Sequence, residues 1–144
     1  LRWEDMLFSL TDHSGYGMRN SSIIDANPAV WWYDYTKHNH RSGWIRDNYH
    51  VTFSRSDKNH KVALRHLRDG FNVAVVFASR RGKQFTRLPK TFHGFDVVDG
   101  NDSDLRFLDP EGLKRGKVVG LTLKAPTTKA YQEALATGFP VLQP

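Results

Sequence analysis

The sequence predicts an α/β fold with a mostly parallel sheet, and three features of one stretch predict it. Residues 49–56 (Tyr-His-Val-Thr-Phe-Ser-Arg-Ser) read as a β-branched and aromatic strand that ends in polar residues. Residues 71–78 (Phe-Asn-Val-Ala-Val-Val-Phe-Ala) form a continuous apolar run, as expected of a strand covered on both faces. Between them lies a short helix with its own start and stop signals. A helix that returns the chain to a second strand is the βαβ crossover of a parallel sheet. In such sheets ligands bind at the carboxyl ends of the strands, which places Ser54, Arg55 and Ser56 where a site is expected.

The elements follow in chain order. Leu1-Arg2-Trp3-Glu4-Asp5 reads as the end of a strand, so residues 1–144 are expected to be one α/β domain that is a fragment of a longer protein. Residues 11–22 are rich in turn formers and predict a loop. Ser21 or Ser22 can cap a short helix over residues 23–27, which Pro28 stops. Residues 30–36 are aromatic and β-branched, apolar on both faces until Asp34, and predict a strand buried on both sides. Residues 37–43 leave it as a basic loop.

In the crossover helix Ser56 or Asp57 is the expected N-cap. Val62, Ala63, Leu64 and Leu67 give it an apolar face, and Arg65 and Arg68 complement its dipole. Gly70 closes it in the left-handed conformation. After Ser79 comes a basic loop, then extended pieces at 95–98 and 105–108, and a last strand over 118–124. A helix over 129–136 ends at Gly138. About four or five strands are expected in all.

Composition excludes several chemistries. The chain has no cysteine, so disulfides, thiolate metal sites and a self-held iron–sulfur cluster are ruled out. No apolar run has the length of a membrane span, and a cytoplasmic protein is expected. The net charge is +6, with basic residues grouped at Arg65, His66 and Arg68, at Arg80, Arg81, Lys83, Arg87 and Lys90, and at Lys114, Arg115 and Lys117. These groups read either as a phosphate-facing patch with salt-sensitive affinity or as solvated loops.

Four blocks carry a resemblance: Tyr33-Asp34-Tyr35-Thr36-Lys37, Asn48-Tyr49-His50-Val51-Thr52-Phe53-Ser54, Asn72-Val73-Ala74-Val75-Val76-Phe77 and Asp104-Leu105-Arg106-Phe107-Leu108-Asp109-Pro110. With Val118-Val119-Gly120-Leu121 they span about residues 1–125 and resemble an uncharacterised, largely phage-encoded family, the gene-product-eighty-eight-like proteins of mycobacteriophages. The resemblance implies a phage origin and a host-cell cytoplasm. It also implies a (β/α) barrel in complete members, of which this chain matches the C-terminal half. The N-terminal half of those members carries a cysteine cluster that invites comparison with radical S-adenosylmethionine enzymes. This chain has no counterpart of it, so no iron–sulfur chemistry carries over.

The strand ends supply the candidate residues: Glu4 and Asp5, then Asp34, Thr36 and Lys37, then Ser54, Arg55 and Ser56, then Ser79 and Arg80, and finally Lys124. On one reading the protein is a non-catalytic accessory module that binds nucleic acid or a phosphorylated ligand through Arg55, Ser56, Arg80, Arg81, Lys83 and Lys124. On the other it is an enzyme, or half of one, with Asp34, Lys37 and Ser54 around a small-molecule site. Asp34 and Lys37 also fit a plain salt bridge, and Ser56 a plain helix cap. Asp99, Asp102 and Asp104 offer oxygen ligands for a hard cation, or else an acidic turn that pairs with Arg106 or the basic loops. His38 and His40 form a His-x-His pair without a third ligand. Trp31, Trp32, Tyr33 and Tyr35 could stack on bases but also suit sheet packing. A partial barrel has raw edges, so a second copy or a partner covering them is expected.

Overall fold

A computed structural model describes residues 23–39, 47–109 and 115–143. Helix α1 (Ile23–Ala26) leads into β1 (Trp32–Thr36) and β2 (Tyr49–Ser54), and α2 (His60–Arg68) crosses to β3 (Val73–Ser79). A 3-10 turn (Lys83–Phe85) precedes the hairpin strands β4 (Thr91–Phe92) and β5 (Phe95–Asp99). A second 3-10 turn (Arg106–Leu108) precedes β6 (Val118–Thr122), and α3 (Thr128–Ala136) connects it to β7 (Val141–Gln143). Among the described residues seven strands form one sheet in the order β1-β2-β3-β6-β5-β4, with β7 also paired to β3. All pairs are parallel except the β4–β5 hairpin.

The crossover unit forms for the reasons its residues give. Val73, Val75 and Phe77 face the same side as Phe53 and Val118, and all five are buried to 1% exposure or less. Helix α2 lays Ala63 and Leu67 on that face, with Val62 and Leu64 at its margins and Leu88 and Phe92 of the hairpin segment beside it. His66 joins them, its ring 4.4 Å from that of Phe53. Gly70 takes φ +95, a conformation that costs glycine little, and the chain turns there into β3.

Four expectations change. The strand over 30–36 is not buried on both faces: it begins at Trp32, and Tyr33 and Tyr35 are 39% and 36% exposed. Among the described residues β1 pairs only with β2, so aromatic composition marked a strand but not its place at the sheet edge. The N-cap of α2 is Asn59, not Ser56 or Asp57. Its side chain accepts from Ser56 N–H at 2.6 Å and donates to the Ser54 carbonyl at 3.0 Å, tying off β2. Residues 105–108 hold a 3-10 turn instead of an extended piece. The strand count among the described residues is seven, above the expected number, because β4 and β7, of two and three residues, are too short to show a period. The expected opening strand, the loop over 11–22, the Ser21 or Ser22 cap, His40 and Lys114 lie outside the described residues. Among the described residues no helix is long and apolar enough to cross a membrane.

Candidate ligand-binding site at the carboxyl edge

Parallel register makes the carboxyl edge of this sheet a step. Thr36 lies level with Phe53, and Ser54 with Ala74, where Arg55 N–H makes a last bond to the Ala74 carbonyl at 2.9 Å. Strand β3 continues five residues further, to Ser79. At about 3.3 Å per residue it therefore overshoots β2 by about 16 Å. Strand β7 fills the gap, pairing Val141, Leu142 and Gln143 with Phe77, Ala78 and Ser79. Phe77 pairs with Thr122 of β6 as well, so β7 lies on the β2 side of β3.

The step separates the residues expected to cluster. At the lower level, Arg55 Nη1 donates to the Phe139 carbonyl at 2.6 Å, and Lys37 Nζ lies 5.9 Å from the centroid of the Phe139 ring. Burial lowers the Arg55 pKa, and Asp57 offsets part of that. Asp34 Oδ1 accepts from Tyr35 N–H at 2.7 Å, while the carbonyl of Ser54 and the N–H of Ser56 are held by Asn59. The Arg55 side chain and the Ser56 N–H thus serve the internal structure of the β2 end, and Lys37 rests on the lead-in to β7.

The upper level is built on Ser79 and Tyr131. The Tyr131 side chain is 2% exposed, and its hydroxyl donates to the Ser79 carbonyl and accepts from Ser79 N–H, both at 3.0 Å. Thr86 Oγ1 lies 3.1 Å from the same hydroxyl and 3.1 Å from Ser79 N. Arg81 N–H donates to Ser79 Oγ at 3.2 Å, and Gly82, at φ +116, turns the chain into the 3-10 segment. This knot pins both ends of the segment from Ser79 to Thr86, so its side chains project from a braced loop.

Two of them, Arg81 and Phe85, line a cavity of about 440 Å³ together with Arg87, Leu88, Pro89 and Gln143. Among the described residues two arginines line it and no acidic residue does. The segment from 80 to 95 carries Arg80, Arg81, Lys83, Arg87 and Lys90 and no acid, against a net charge of +6 for the whole chain. A smaller crevice of about 150 Å³ lies alongside, lined by Arg81, Lys83, Gln84 and Thr127 among others. Arg80 and Lys124 are exposed at the same edge and line neither space.

The wall carrying Leu88 is fixed by a missing side chain. A Cβ on Gly120 of β6 would lie 3.0 Å from Leu88 Cδ2 and 2.7 Å from Val97 Cγ1. Glycine there lets Leu88 lie close on the sheet, which sets the floor of the cavity. Arg81, Lys83 and Arg87 were legible as charge. Phe85 shows in the sequence only as an aromatic between basic residues. Gln143 had none, because β7 cannot be read from three residues.

The acidic turn has a different role. Asp99 Oδ1 accepts from Asn101 N–H and Nδ2, at 2.8 and 2.7 Å. Asn101 Oδ1 in turn accepts from Thr122 N–H and Oγ1, at 3.0 and 3.1 Å. Arg106 is 1% exposed and donates to the carbonyls of Gly100, Ser103 and Asp104, with Asp109 Oδ2 at 3.3 Å. Burial raises the Asp109 pKa, and Arg106 and then His50 oppose it. The turn therefore uses backbone carbonyls, not Asp102 or Asp104, to hold Arg106. Among the described residues no group of three His, Asp or Glu side chains could hold a metal ion. His38 N–H bonds Thr36 Oγ1 at 3.1 Å, at the end of β1.

Neither a curated protein nor a solved structure matches the chain. The family model described as Gene product 88 matches residues 7–136, which takes in the crossover unit, the basic segment and α3, and the chain belongs to that family.

Proposed function

We propose that the protein is a non-catalytic, phage-type accessory module that binds a phosphate-bearing ligand, as nucleic acid or as a phosphorylated small molecule, in the cationic cavity above β3. The observation that carries this reading is the lining itself, in which Arg81 and Arg87 border one space and, among the described residues, no Asp or Glu does. Guanidinium groups bind phosphate through paired N–H donors, and a braced loop lowers the cost of ordering them. Arg80, Lys83 and Lys90 belong to the same acid-free segment and add positive charge that favours approach of an anion.

Binding measured across a salt series tests the reading. Two phosphate contacts predict a log–log slope of about −1.4 for a single-stranded probe. The paired substitution Arg81→Gln with Arg87→Gln should remove most of the affinity. No binding at low salt, or unchanged binding by that variant, ends the proposal. Asp34, Lys37 and Ser54 meet separate partners, and no catalytic role is assigned to them. A relation to a (β/α) barrel would rest on the β1–β2–β3 ladder with its crossover helix alone, since β6 and β5 return in reverse order.

A further inference from the structure

We infer that the unit recognised in this cavity is a nucleotide, with its phosphate at Arg81 and Arg87 and its base against Phe85. The inference rests on the proposed anion site and goes beyond it by assigning the apolar half of the lining. A bare phosphate would be satisfied by the two arginines and would leave Phe85, Leu88 and Pro89 facing water. A ligand that joins an anionic group to a flat apolar body covers both halves.

The cavity, at about 440 Å³, is within the range of small-molecule sites. Phe85 is 54% exposed and closes the 3-10 turn, its N–H bonded to the Gly82 carbonyl at 3.1 Å. The ring is therefore presented on a fixed backbone beside cations, the combination that lets an aromatic stack on a base while basic groups hold the backbone phosphate. Leu88, seated over Gly120, gives a second apolar wall. Gln143, level with Ser79 at the end of β7, adds an amide whose Nε2 donates to the Leu142 carbonyl at 3.4 Å and whose Oε1 can accept from a base edge.

A free nucleotide and a nucleotide within a single strand offer the same chemistry, and the experiment separates them. The full chain is titrated with thymidine monophosphate, with a twelve-residue oligothymidylate and with inorganic pyrophosphate. Phe85→Leu should weaken both base-bearing probes about tenfold or more and leave pyrophosphate unchanged. Phe85→Trp should restore binding of the base-bearing probes, which also controls for folding. Tighter binding of the oligothymidylate assigns a strand, and equal binding a free nucleotide. If pyrophosphate binds as tightly as the base-bearing probes and Phe85→Leu changes none of them, the nucleotide inference fails while the anion site stands. If nothing binds at low salt, both fail.

Discussion

Arg55 Nη1 donates to the Phe139 carbonyl at 2.6 Å, so a cation at the end of β2 anchors the lead-in to β7, 84 residues later. Its charge is spent on a main-chain oxygen inside the fold. Substitution by Met should therefore cost stability, about 1.5–3 kcal/mol for a hydrogen bond from a charged group. Arg81→Gln should leave stability within about 0.5 kcal/mol, as surface changes do, and reduce ligand affinity. Urea denaturation of both variants, beside binding, checks the contrast. An Arg55→Met protein as stable as the parent would show that β7 is held by other means.

Gly116→Ala should be among the most damaging single changes. A Cβ there would sit 1.9 Å from the Phe71 carbonyl oxygen, and the Gly116 N–H is bonded to the Leu67 carbonyl at 2.8 Å. Backbone on both sides cannot yield, in contrast to Gly120, whose neighbours are side-chain ends. A loss of about 3 kcal/mol or more is expected, at or beyond the usual cost of overpacking. The urea midpoint measures it.

Stability should fall as the medium is acidified through the range near pH 6.5. Burial lowers the pKa of His66, with Asp69 opposing and Arg65 adding to the effect. Burial also lowers that of His60, with Arg55 and His93 acting in the same sense. Below the ordinary histidine value of about 6.5 the unfolded chain binds protons that the folded chain refuses, so stability rises with pH across that interval. The contribution is complete above it and is lost as pH drops through it. His66→Phe should flatten this part of the profile, measured as the urea midpoint between pH 5 and pH 8. An unchanged slope would locate the titration elsewhere.

Tyr131→Phe removes the hydroxyl that bonds Ser79 and Thr86. A stability loss of about 1–3 kcal/mol is expected from a buried carbonyl left without this donor. Ligand affinity should fall as well, because the loop carrying Arg81 and Phe85 loses its brace. Loss of stability with affinity intact would mean that the loop is held by Thr86 alone.

The crossover unit was legible because its signals are local and agree: an apolar run at 73–78, a helical apolar face and a closing Gly70. What stayed hidden depends on register. Nothing in Ser54 or Ser79 says that one strand stops five residues below the other, and that step separates Arg55 from Arg81. A basic side chain at a strand end looks the same in sequence whether it meets solvent or a carbonyl. Trp32, Tyr33 and Tyr35 marked a strand correctly, yet propensity carries no information about an edge. Arg106 was legible as a partner for the acidic turn, but its acceptors are carbonyls, which every residue possesses.

Because β2 and β7 divide one flank of β3 between them, the upper part of that flank depends on three residues close to the end of the sequence. Should β7 detach, the main-chain groups of Phe77, Ala78 and Ser79 become an open template for any extended segment, including the β7 of another molecule. The same peel would withdraw Gln143 from the cavity. Ligand seated there would act as a clasp on the last strand, and its absence would leave the tip of the central strand open to strand exchange.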